Sequence, residues 1–273
     1  MWYNRTGQNI KIAIIDSGFP KCNGGVSVYD DIITDEDFAF DSLQHGAIIA
    51  DIIDFYSPDA ELYSVKIFHD DLNCSINQLE KGISWCIDHD MDIINISAAF
   101  QYEENNDNII LDFCRQATKN GILIVSAVDT QRELTIPGVL EGVIAVQNDS
   151  NLPIGKWKIA EKNKSTINAN GYWNTSVIKN RAIPGSNSFG SSNSCAFVTA
   201  MIAKLLEESH DICLKNILIS LKVYENIGIN SYSELNKNNY ALLPITPDNY
   251  YLLDFYNINR IFAFRWMGLS EQL

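Results

Sequence analysis

With 273 residues, 46% of them hydrophobic, the chain can build one large core with a small appendage, and no apolar run reaches the length of a membrane span. Its formal net charge of −14 argues against nucleic acid and anionic membranes as partners and favours a cationic peptide at low salt. Met1 to Asn9 lacks the basic start, apolar stretch and small-residue cleavage site of a secretory signal, so a cytoplasmic protein is expected.

Short β-branched runs alternate with helix-like segments from residue 10 to about 207. In chain order the pattern predicts a strand over 11–15, a helix over 45–55, a strand over 61–68 and a helix over 76–88. A strand over 92–97, a helix over 108–120, strands over 122–127 and 143–147, and a helix over 192–208 follow. Such alternation predicts an α/β protein: three layers, a doubly wound and mainly parallel sheet, helices on both faces. The runs are almost uninterrupted, as suits strands buried on two sides. Residues 148–191 are rich in Asn, Ser and Gly, with Pro153 and Pro184, and read as loops around a short hairpin. One more helix is expected over 212–223, followed by a tail with Tyr250, Tyr251, Phe255, Tyr256, Phe262, Phe264 and Trp266. Those aromatics either pack onto the core or form a peptide-binding wall or partner interface.

Six cysteines (Cys22, Cys74, Cys86, Cys114, Cys195 and Cys213) show neither Cys-x-x-Cys nor paired Cys/His spacing for zinc. No dense carboxylate loop of EF-hand type occurs either. Reduced cysteines, no metal and no cofactor are expected. Cys195 reads as a packed thiol or, alternatively, a redox-sensitive one.

Three segments carry chemistry. Ile12-Ala13-Ile14-Ile15-Asp16-Ser17-Gly18 is an apolar strand ending in an acid and a turn. Gln44-His45-Gly46-Ala47-Ile48-Ile49-Ala50 places a histidine at the start of a helical pattern. Gly190-Ser191-Ser192 precedes the apolar helical run Val198 to Leu206. A serine hydroxyl needs a base to take its proton, and the base needs an acid to fix its tautomer. Asp16, at the carboxyl end of a central strand, suits the acid, because ligands of open α/β sheets gather outside those ends. His45 suits the base, and Ser192, at a helix start rich in free N–H groups, suits the nucleophile. His69, His89 and His210 lie in polar surroundings and read as solvated.

These segments resemble the subtilisin-like serine peptidase (subtilase) family over residues 10–207. Asp16-Ser17-Gly18 stands for the family's D-[ST]-G, His45-Gly46 for its H-G-T-H, and Gly190-Ser191-Ser192 for its G-T-S. A catalytic domain is expected over 1–210, and the change of character after Asp211 marks a C-terminal extension over 211–273, expected to pack on the same domain. Ser194 can be aligned as nucleophile only with a later gap, whereas Val198-Thr199-Ala200 against the family's V-A-G needs none and returns Ser192. Where the family places an Asn in the oxyanion hole, ungapped alignment puts Thr130, preceded by Asp129. Where it continues Leu-Gly-Gly after a substrate-binding strand, this chain reads Ser97-Ala98-Ala99-Phe100. Phe100 either narrows a pocket toward small side chains or belongs to the core. Ala196 replaces the Pro that usually follows the nucleophile.

The resemblance implies a serine endopeptidase acting on a specific peptide or precursor peptide, such as leader removal from a ribosomally made, modified peptide. The chain resembles compact cytoplasmic members of that maturation group. The alternative is a subtilase-like protein that has lost turnover and binds a peptide or partner protein.

Overall fold

The computed structural model describes residues 4–101, 107–128, 135–160, 165–174, 187–207 and 213–225. Its main sheet contains strands β1 (Lys11–Asp16), β2 (Gly24–Tyr29), β3 (Ile32–Thr34), β4 (Glu61–Lys66) and β5 (Ile93–Ile96). It continues with β7 (Leu123–Ala127), β9 (Val143–Asn148), β10 (Trp157–Ile159) and β11 (Thr166–Ala169). Two small two-stranded sheets pair β6 (Phe100–Gln101) with β8 (Thr135–Ile136), and β12 (Trp173–Asn174) with β13 (Asn187–Ser188). The helices are α1 (His45–Tyr56), α2 (Ile76–Asp88), α3 (Asp107–Lys119), α4 (Ser191–Leu206) and α5 (Leu214–Tyr224).

The main sheet runs β10-β11-β9-β7-β5-β1-β4-β2-β3. Seven neighbouring strands, from β11 to β2, are parallel, and an antiparallel strand closes each edge. Strand β1 lies in the middle, its Ile14 level with Ser64 of β4 and Asn95 of β5. Chain order reverses around it: β4 lies on one side, and β5, β7 and β9 build outward on the other. That reversal opens a crevice at the carboxyl ends of β1 and β5, where α/β sheets bind ligands.

Alternation along β1 divides the interior in two. Ile12 and Ile14 face a cluster with Ile49 and Ile53 of α1 and with Ala200 and Met201 of α4. Ala13 and Ile15 face the other cluster, with Ile83 of α2 and Cys114 of α3. Helix α4 is unusual in being buried from Asn193 to Leu206, and apolar residues cover nearly its whole circumference. Such a helix belongs inside a core rather than on its surface. Ile217 and Leu221 of α5 pack into the same cluster as α4, and the Trp157 Nε1–H donates to the Leu221 carbonyl at 2.9 Å. The far end of α4 holds the N-terminal segment: Glu207 Oε2 accepts from the backbone N–H groups of Thr6 (2.8 Å), Gly7 (2.7 Å) and Gln8 (3.2 Å).

The predicted α/β class and alternating elements match this architecture, with boundaries shifted by a residue or two. Two features differ. Strands β2 and β3, between Asp16 and His45, were not expected; the Gly24-Gly25 pair and the acidic residues around Ile32–Thr34 hide the alternation of buried Val26 and Val28. Residues 148–191 hold more strand than one isolated hairpin, because β10 and β11 extend the main sheet through pairing of β11 with β9. The aromatic tail, Tyr250 to Trp266, lies outside the described residues.

Candidate active site

Asp16 ends β1 with no solvent exposure, where it pairs across the ladder with Lys66. Its carboxylate is held by the Ser17 backbone N–H, which donates to Oδ1 at 2.7 Å. His45 is the first residue of α1, and its Nδ1 lies 2.7 Å from Asp16 Oδ1 and 2.9 Å from Oδ2. A carboxylate only accepts, so Nδ1 carries the proton and Nε2 keeps a free lone pair. Burial works against the charged imidazole, yet the Asp16 charge, the hydrogen bond to it and the Asp41 charge outweigh that and raise the His45 pKa.

Close packing of α1 on the end of β1 depends on Gly46. A Cβ there would stand 2.3 Å from the Gly18 carbonyl oxygen, a contact between backbone atoms that no side-chain rotation relieves. Gly46→Ala is expected to destabilise the fold by about 1–3 kcal/mol. Thermal unfolding should show a midpoint lower by several degrees.

Ser192 sits in the first turn of α4, half-buried. Bonds on either side seat that turn. Ser191 Oγ accepts from the Asn148 N–H at 3.2 Å, and Asn193 Nδ2 donates to the Gly171 carbonyl and to Ser188 Oγ, each at 3.0 Å. One turn on, Asn95 of β5 donates through Nδ2 to Thr199 Oγ1 at 2.8 Å and to Cys195 Sγ at 3.2 Å. These contacts fix the start of α4 to β5, the neighbour of β1, so Ser192 shares the sheet edge with Asp16 and His45. No hydrogen bond joins His45 to Ser192 among the described residues.

Ser194 differs from Ser192. It is fully buried, and its hydroxyl lies between the carbonyls of Ala169 (2.9 Å) and Gly190 (3.2 Å). Its proton is engaged with backbone, which leaves Ser192 the accessible hydroxyl of the pair. Cys195 is a packed thiol: burial pushes its pKa up and keeps it protonated.

Of the expected substrate-binding residues, Ser97 follows β5, with its N–H toward the Ile15 carbonyl at 3.4 Å. Ala98 is buried and Ala99 exposed. Phe100 is half-buried against the α2/α3 core cluster, and its β6 backbone pairs with Ile136 of β8. Among the described residues the enclosed Asn95 Oδ1 and Ser97 Oγ lack hydrogen-bond partners, a cost concentrated at this end of β5. Thr130 and Asp129 lie outside the described residues, as does His210. His69 is not simply solvated: its Nε2–H donates to the Val28 carbonyl at 2.8 Å. Among the described residues no group of three His, Cys, Asp or Glu side chains could hold a metal ion. Sequence patterns missed Asp41, whose carboxylate lies beside Ser17 and the first turn of α1.

A doubly wound sheet thus carries an Asp–His pair at its carboxyl edge and a serine in the first turn of a buried helix. The chain belongs to the subtilase family, whose signature spans residues 7–220. Among curated proteins it is similar to the minor extracellular protease Epr of Bacillus subtilis, with 29% identity over 54% of this chain and 24% of that one. It is also similar to subtilisin amylosacchariticus of Bacillus subtilis subsp. amylosacchariticus, with 28% identity over 45% of this chain and 34% of that one. The chain thus spans a quarter to a third of the length of these relatives. Among solved structures it shares its fold with sphericase (TM-score 0.61, 19% identity, 80% of this chain and 84% of that one). It shares it too with a lanthipeptide protease (TM-score 0.59, 17% identity, 79% of this chain and 80% of that one).

Proposed function

We propose that the chain is a serine endopeptidase in which Asp16 orients, His45 exchanges protons and Ser192 attacks. The observation that carries this is the Asp16–His45 pair, which leaves Nε2 of a half-buried imidazole as a base at the edge where Ser192 begins α4. In the first step Ser192 Oγ forms a bond to the scissile carbonyl carbon while its proton passes to His45 Nε2. The imidazolium then donates that proton to the leaving amine as the C–N bond breaks, giving an acyl-enzyme. Water enters, loses a proton to Nε2 and releases the acid, and the proton returns to Ser192. The developing oxyanion is assigned to the Ser192 backbone N–H and, from the family resemblance, to the Thr130 hydroxyl.

The substrate is proposed to be a specific peptide or precursor peptide, laid along Ser97, Ala98 and Ala99 by edge pairing. Leader removal from a modified ribosomal peptide fits this narrow choice, and the fold shared with a lanthipeptide protease supports it by analogy. All six cysteines are free, which suits a reducing compartment such as the cytoplasm. No helix among the described residues is long and apolar enough to cross a membrane.

Labelling with a serine-directed fluorophosphonate tests the reading. Modification is expected at Ser192 and should vanish in His45→Ala. Its rate should rise with pH, because only neutral His45 accepts the proton. Since the carboxylates raise the His45 pKa, the midpoint should lie above the ordinary imidazole value of about 6.5. Folded protein that takes no label would favour a peptide-binding subtilase without turnover.

A further inference from the structure

A second carboxylate stands beside the pair and has no part in the triad. Asp41 Oδ1 accepts from the backbone N–H groups of Leu43 (3.1 Å) and Gln44 (2.8 Å) and lies 2.8 Å from Ser17 Oγ. Its Oδ2 accepts from the Ala47 N–H at 2.9 Å, and Ser17 Oγ accepts from the Gly46 N–H at 2.9 Å. The Ser17 hydroxyl has one proton to give. Asp41 at 2.8 Å is nearer than Asp16 Oδ1 at 3.2 Å, so the proton goes to Asp41. The nominal cap, Gln44, sits at φ 60° and makes no side-chain capping bond. Helix α1 therefore has its opening amides satisfied from outside, by Asp41 directly and through Ser17. Gln44, Gly46 and Ala47 are all pinned in this way, and His45 lies among them.

We propose that Asp41 is a positioning residue of this site: it fixes the first turn of α1, and so the His45 ring, against Asp16, and it is a second counter-charge for the imidazolium. The proposal rests on the peptidase reading above. Catalysis gains when such a charge forms next to carboxylates that are already in place, because nothing has to reorganise. Among the described residues the charged groups around His45 are few. Asp16 faces it from β1 and Asp41 from the preceding loop; the Lys66 ammonium of β4 is turned to the Phe40 carbonyl at 2.8 Å. Cys74 feels the Asp16 charge but stays neutral, because burial, with that charge, pushes its thiol up to about 12. Asp41 itself has a raised pKa, chiefly from burial and further from the Asp16 charge, against the opposing pull of its donors.

The test is an NMR titration of the His45 imidazole in a Ser192→Ala background, paired with peptide cleavage in the active chain. Asp41→Asn removes the charge, so His45 should titrate at lower pH, and the acid limb of cleavage should move down with it. The plateau kcat should fall about tenfold to a hundredfold, with KM little changed, as the ring loses its alignment. Asp41→Glu keeps the charge: its acid limb should stay in place while kcat falls. An unchanged His45 titration in folded Asp41→Asn would overturn the proposal, and so would a wild-type plateau in that variant. If the unmodified chain cleaves no peptide, the peptidase reading fails, while the NMR titration still decides whether Asp41 acts on His45.

Discussion

Ser192→Ala is expected to lower peptide cleavage by about a millionfold and to leave thermal unfolding almost unchanged. The hydroxyl is half-buried at the start of α4 and its loss opens no core cavity, so the fold has little reason to respond. Ser194→Ala is the informative companion. That hydroxyl is fully buried between two carbonyls, so removing it should cost stability, about 1 kcal/mol, and leave much of the cleavage rate. Chromatographic assay of product from a defined peptide, run beside calorimetry on both variants, separates the two. Full cleavage by Ser192→Ala with loss in Ser194→Ala would move the nucleophile two residues. Full cleavage by both would end the peptidase reading.

Asp16→Asn should cost roughly four orders of magnitude in turnover. Asp16 accepts from His45 Nδ1 at 2.7 Å through Oδ1, the same oxygen that accepts the Ser17 N–H. An amide can present its NH₂ to Nδ1, which selects the tautomer with the proton on Nε2, and a protonated Nε2 cannot take the proton of Ser192. The imidazolium also loses its nearest counter-charge. Because the asparagine matches the aspartate in volume, the buried end of β1 should stay packed, and circular dichroism should report a native fold. Steady-state kinetics should show the loss in kcat, since the substituted group does not meet the peptide.

Much of this arrangement was legible in the sequence because the three groups sit in strong local patterns. Asp16 ends a run whose alternate residues divide between two cores, and His45 and Ser192 each open a helix whose apolar face extends over several turns. The sheet centre was legible for the same reason. What stayed hidden depends on partners distant in the chain. Asp41 works through amides and a hydroxyl supplied by Ser17 and α1, and nothing in Asp41-Ser42-Leu43-Gln44 alone distinguishes it from a surface turn. Strand β2 opens on two glycines, residues that weaken a strand in isolation. Here Gly25, at φ 159°, lets the backbone of β2 approach β4: a Cβ would lie 2.0 Å from the Ser64 carbonyl oxygen. Phe100 read two ways from sequence, as pocket wall or core, because its setting is created by pairing with Ile136 across thirty-odd residues of chain.

The enclosure of α4 sets the order in which the molecule comes apart. Segments open locally according to how little they bury, and a helix surrounded on every side opens only with the whole. Amide hydrogens along Val198–Leu206 should therefore be among the slowest to exchange. Ser192 is mounted on this enclosed helix, whereas His45 is mounted on a turn that two side chains hold in place. Gradual heating should misalign the histidine well before it disturbs the serine, so activity should fade while the core is still intact.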